Sequence, residues 1–98
     1  MSARILSDSA TVVACADLLA TEFGSEIVVL SLRDGVYYGL EDVGVRIWRL
    51  LQEPVTVAAI RDALVSEYDV EAADCERDIR ALVGDLAARG LVEIRERP

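Results

Sequence analysis

Three aspartates, Asp74, Asp78 and Asp85, fall at spacings of four and seven. A helix there would carry them along one flank. Paired carboxylates can do general acid–base work. Nothing else in the chain completes such a site. There is no histidine, so neither a serine nor a cysteine has its usual base. No glycine-rich phosphate loop and no metal-ligand spacing accompanies the aspartates. The two cysteines, Cys15 and Cys75, stand far apart in no redox or zinc pattern, and read as small buried apolar residues. The expectation is a protein that is not an enzyme and uses no metal and no cofactor.

Charge narrows the partners. Eighteen acidic residues face ten basic ones, all arginine, for a net charge of -8. Such a surface repels phosphate backbones and attracts basic partners. Membrane insertion is not expected, because no apolar run approaches the roughly 18 residues a span requires. The first residues lack the apolar core of a signal peptide, so the expected location is cytoplasmic.

Ninety-eight residues suffice for one domain with a modest core. Residues 1–17 read as an N-terminal tail or short strand, the strand falling at 11–15. Residues 18–98 read as the domain proper. Leu18–Phe23, Glu26–Leu32 and Val36–Leu40 read as three strands, rich in β-branched, aromatic and apolar residues. Gly24-Ser25 suits a type II′ turn and Asp34-Gly35 a type I′ turn. The result is an antiparallel meander whose third strand is an edge. Placing Arg33 opposite Val36 sets Leu32 against Tyr37 and Val29 against Leu40. Both faces of this sheet are then apolar. One can take helices; the other needs the N-terminal residues, a second copy in a homodimer, or a partner.

Helical periodicity follows. Asp42 is a candidate N-cap for a helix at 43–52, with Val43, Ile47, Leu50 and Leu51 on one stripe beside Trp48. Thr56 can cap a second helix with the stripe Val57, Ile60, Leu64 and Tyr68. A third helix, Ala72 to Arg89, carries Cys75, Ile79, Leu82, Val83 and Leu86 and stops at Gly90. Leu91–Ile94 reads as a short returning strand. The fold class is α+β: an N-terminal three-stranded antiparallel sheet followed by three helices, winged-helix-like.

An edge strand beside a helix makes a groove for an extended peptide. Pockets from Val36, Tyr38, Leu40, Cys75 and Leu82 would accept alternating side chains, and the flanking aspartates would favour a basic or hydrogen-bond-donating residue. Two other readings stand beside it. A winged helix-turn-helix DNA-binding regulator needs a basic recognition helix, and the third helix carries an acidic excess. A self-associating interaction module would pair the apolar edge with its own copy.

The run Tyr37-Tyr38-Gly39-Leu40, followed by Val43-Gly44 and Ile47-Trp48, resembles PqqD-like proteins. So does Asp78-Ile79-Arg80-Ala81-Leu82 with Leu86 and Arg89-Gly90-Leu91-Val92. The likeness covers roughly residues 18–94 and is greatest to the stand-alone proteins of lasso-peptide clusters. It implies a recognition element for ribosomally made, modified peptides. The leader of a precursor peptide would add as a strand beside the third strand, against the third helix. The domain would present it to a separate leader peptidase and to the ring-forming enzyme. The family's groove strand falls on Val36, Tyr37, Tyr38, Gly39 and Leu40, and its groove helix on Cys75, Asp78, Ile79, Leu82 and Asp85. Leu82 stands where an aromatic residue is common. Glu41 replaces a common asparagine, leaving Asp42 to take the capping role.

Overall fold

The computed structural model describes residues 7–95. Along the chain run β1 (Thr11–Ala14), β2 (Leu18–Phe23), β3 (Glu26–Ser31), β4 (Tyr37–Leu40), α1 (Val43–Leu50), β5 (Val55–Thr56), α2 (Val57–Glu67), α3 (Ala72–Ala88) and β6 (Val92–Arg95). The α+β class, the meander and its three helices stand as read from the sequence. A second antiparallel sheet, in the order β5-β1-β6, joins the expected β2-β3-β4.

Turn chemistry sets the first sheet. Gly24, at φ +60, closes the β2–β3 hairpin, and Ser25 keeps a negative φ, as type II′ demands. The β3–β4 turn differs from expectation. Type I′ needs two consecutive left-handed residues, and only Gly35 (φ +73) supplies one. The chain instead makes a four-residue loop, in which the Gly35 amide donates to the Ser31 carbonyl and the Ser31 amide donates to the Val36 carbonyl. Ile27 therefore pairs with Leu40, Val29 with Tyr38 and Leu30 with Tyr37. The register is displaced by two residues from the Arg33–Val36 pairing. Two is the period of a strand, so every side chain keeps its expected face.

The inner face of this sheet buries Ile27, Val29 and Leu40. They join Val45, Ile47 and Trp48 of α1, Ile60 and Leu64 of α2, and Ile79, Val83 and Leu86 of α3 in one core. The outer face stays open: Leu19, Phe23 and Tyr37 are each more than half exposed. The described N-terminal residues do not cover it. Val12 is fully buried instead, because β1 pairs with β5 and β6 in the second sheet.

Helix ends follow local rules at the start of α2 and the end of α3, but not at the starts of α1 and α3. The Thr56 hydroxyl accepts from the Ala59 amide at 3.0 Å and caps α2. Gly90, at φ +75, completes a Schellman close on α3: its own amide donates to the Ala87 carbonyl and the Leu91 amide to the Leu86 carbonyl. That close turns the chain back into β6. Glu71 precedes α3 without a side-chain capping bond, and Asp42 departs further. It occupies the N-cap of α1, but its side chain makes no capping bond. A capping residue needs extended backbone, and Asp42 sits at φ 54, ψ -125. Its carbonyl accepts the Val45 amide instead.

Candidate functional site

β4 is an edge strand, and its hydrogen-bond alternation decides which groups are free. The Ser31–Val36 bond fixes Val36, Tyr38 and Leu40 as the residues whose backbone groups turn towards β3. Those of Tyr37 and Gly39 turn outward and are open to an incoming strand. A Cβ placed on Gly39 would meet nothing within 4 Å, so the outer face of the sheet is open beside this edge.

α3 forms the opposite wall. The Tyr38 phenol, on the inner face, donates to Asp85 Oδ2 at 2.7 Å. The Arg89 guanidinium lies over the Tyr38 ring, 5.0 Å from its centroid, and its Nε reaches Asp85 Oδ1 at 3.3 Å. The hydrogen bond to Asp85, then burial, pushes the Tyr38 phenol above its ordinary pKa. The Asp85 carboxyl is held below its ordinary value by the Tyr38 hydroxyl and then by Arg89. This triangle fixes the spacing between strand and helix at one end.

Further along, Leu40, Gly44 and Leu82 meet. A Cβ on Gly44 would lie 3.3 Å from Leu40 Cδ2 and 3.9 Å from Leu82 Cδ2. The missing side chain lets the start of α1 approach both. Beyond this point the groove widens into a cavity of about 480 Å³. Val43, Ile47, Leu64, Val70, Cys75 and Leu82 give it apolar walls, and Ile79 lies at its floor. Asp69, Glu71, Asp74 and Asp78 stand around it. Burial, with Asp78 and Glu76 nearby, raises the Cys75 thiol above its ordinary pKa, so this sulfur is a packing group and not a thiolate.

The ten residues singled out from the sequence divide into three groups here. Tyr38 and Asp85 are bonded. Cys75, Asp78, Ile79 and Leu82 line the wide end, and Leu40 is buried in the core beside Gly44, just before it. Val36 sits at the entry to β4, while Tyr37 and Gly39 offer backbone only. The Tyr37 side chain, 71% exposed, points to the outer face of the sheet, away from α3. The sequence reading missed the contribution of α1 (Val43, Gly44 and Ile47) and missed Arg89. Only the i, i+4 spacing of Asp85 and Arg89 hinted at the latter. Among the described residues, no group of histidine, cysteine and carboxylate side chains is arranged to hold a metal ion. No described helix is long and apolar enough to cross a membrane. The geometry can accept an extended chain along β4 and seat a side chain in the cavity.

Comparison with known proteins gives three findings. Residues 26–92 match the family described as Coenzyme PQQ synthesis protein D (PqqD). The PqqA binding protein of Rhodopseudomonas palustris (strain ATCC BAA-98 / CGA009) is 40% identical over 57 residues. That alignment takes in 57% of this chain and 56% of the relative, so the chain spans little more than half of that relative's length. Two solved structures share the fold. TbiB1 in complex with the TbiA(beta) leader peptide is 37% identical, with a TM-score of 0.77 over 83% of this chain and 94% of that one. A lasso peptide synthetase B1 complexed with the leader peptide is 32% identical, with a TM-score of 0.74 over 84% and 96%.

Proposed function

The chain belongs to the PqqD family, and from that membership we propose that it binds the leader segment of a ribosomally made precursor peptide without doing chemistry on it. The observation that carries this reading is the free edge of β4 held opposite α3, with Tyr37 and Gly39 presenting unpaired backbone groups. The leader adds there as a fourth strand. Main-chain hydrogen bonds give affinity, and the pockets at Val36, Tyr38, Leu40, Cys75, Asp78, Ile79, Leu82 and Asp85 give selectivity. The product class is a lasso peptide, a reading supported by the likeness over 84% of this chain to the lasso peptide synthetase B1 complexed with the leader peptide.

The bound leader is handed to a separate leader peptidase and to the ring-forming enzyme, in the cytoplasm where the precursor is made. The exposed outer face, with Leu19, Phe23 and Tyr37, is the surface for those enzymes or for a second copy of the chain. Sedimentation with and without peptide distinguishes the two. The acidic flank of α3 speaks against a DNA-binding role, and low-salt retention on duplex DNA tests that alternative.

Fluorescence polarisation of a labelled leader, taken from a short precursor gene beside this one, tests the proposal. Saturable binding near micromolar, roughly -8 kcal/mol, is expected once the ordering entropy of the leader is counted. Absence of binding by folded protein to every neighbouring leader would sink it.

A further inference from the structure

The wide end of the groove is apolar inside and acidic outside, and the carboxylates there are largely uncommitted. Asp74 is paired with Arg77. Asp69, Glu71 and Asp78 make no ion pair among the described residues. Asp8, Glu22, Asp62, Glu67, Glu76, Asp85 and Glu93 each have an arginine within reach; other carboxylates without an ion pair among the described residues, such as Glu26, Glu41 and Glu53, do not line this apolar cavity. The positive N-terminal end of α3 accounts for acidic residues in its first turn, as at Asp74. It does not account for Asp78, a full turn further on, or for Asp69, which precedes the helix.

A side chain that satisfies both parts of this cavity has an apolar stem and a cationic head. Lysine and arginine have that form: the methylenes lie on apolar walls while the charge stays at the wetter rim. The walls here are Val43, Ile47, Val70 and Leu82. The position along the peptide is constrained as well. From Arg89 back to Cys75, α3 covers roughly 21 Å at the helical rise, about the length of a six-residue strand. The cavity therefore lies past the Leu40 end of β4, where a paired strand leaves the sheet.

Resting on the peptide-binding reading above, we propose that this cavity is a subsite for a lysine or arginine of the bound peptide, flanking the strand-forming segment at its Leu40 end. Charge complementarity makes it a specificity element: peptides with an acidic residue there are rejected by repulsion as well as by the loss of a partner.

Selection from a displayed random 16-residue peptide library on the intact chain tests this. The wild type is expected to enrich sequences with an apolar or β-branched core and a lysine or arginine at one fixed flanking position, about fivefold over input, the size of a good exposed charge pair. The doubly substituted Asp69→Lys, Asp78→Lys chain is expected to lose that preference and favour acidic residues at the same position. Both sites are exposed, and thermal unfolding checks the fold; should the double variant not fold, Asp78→Asn is expected to weaken the preference without reversing it. An enriched core with no basic position, or the same basic preference in the charge-altered chains, overturns the subsite alone. Enrichment of no peptide at all overturns the peptide-binding reading and the subsite with it.

Discussion

The Tyr38 hydroxyl donates to Asp85 across 2.7 Å and 47 residues of sequence, tying the edge strand to the helix that faces it. Removing it with Tyr38→Phe keeps the ring under Arg89 but releases the strand from the carboxylate. A loss of about 0.5–1.5 kcal/mol in denaturant unfolding is expected, the net worth of one such bond. Leader affinity should fall as the groove loosens. Unchanged affinity would mean that the spacing between β4 and α3 is set elsewhere.

The same pair makes a pH prediction with a definite sign. The Asp85 carboxyl is depressed, first by the Tyr38 hydrogen bond. Its contribution is therefore present above the ordinary carboxylate value of about 4 and is lost as pH falls through the lower folded value. The Tyr38 phenol is raised. Its contribution is present below about pH 10 and is lost as pH rises through the higher folded value. Stability of the wild type minus that of Tyr38→Phe should be flat near neutrality and shrink at both extremes. A difference that grows with acid would contradict the assignment.

Gly39 tests the edge itself. Its outward amide is open to a fourth strand, whereas the Tyr38 amide belongs to the β3 ladder, so a proline at Tyr38 would damage the sheet. Gly39→Pro removes the free donor and should reduce leader affinity about tenfold or more. Gly39→Ala, with nothing within 4 Å of the added carbon, is the control. Equal affinities for the two would remove strand addition at this position.

Asp42 holds the one positive φ outside glycine among the described residues. It lies at the junction of β4 and α1, between the edge and the cavity. Glycine relieves that backbone and a β-branched residue aggravates it. Asp42→Val should be less stable than Asp42→Gly by about 1–3 kcal/mol. Similar midpoints for the two would show that the junction relaxes freely.

Gly90 closes α3 and directs β6 back to β1. Gly90→Ala should cost about 1–2 kcal/mol, the penalty for a side chain in the left-handed region. The added carbon itself would meet only the Arg33 side chain, at 3.4 Å. Thermal unfolding reads this loss, and an unchanged midpoint would mean that the helix ends in another way.

Local rules were enough for much of this protein. Apolar residues at helical spacing located α1, α2 and α3, because one stripe must be buried: Ile60, Leu64, Ile79 and Leu86 are all essentially inaccessible. Alternation and turn glycines located β2, β3 and β4. Gly24 read correctly because its turn depends on one left-handed residue. The β3–β4 turn read wrongly because loop length depends on how the flanking strands and the Asp17 carbonyl hold the loop. The error left each face intact only because it was an even number of residues.

The partners of β1 were out of reach of the sequence. Thr11–Ala14 meets Val92–Arg95 across nearly the whole chain, and neither segment names the other. The same limit applies to the groove. Cys75, Asp78, Ile79 and Leu82 share a helix face, which periodicity shows. That Val43, Gly44 and Ile47 of α1 complete their cavity was decided by packing, whereas strand alternation had already placed Tyr37 on the opposite face from Tyr38. Composition and spacing determine which residues are available to a peptide. Only the three-dimensional approach of β4, α1 and α3, made close by the bare Cα of Gly44, determines which of them face it.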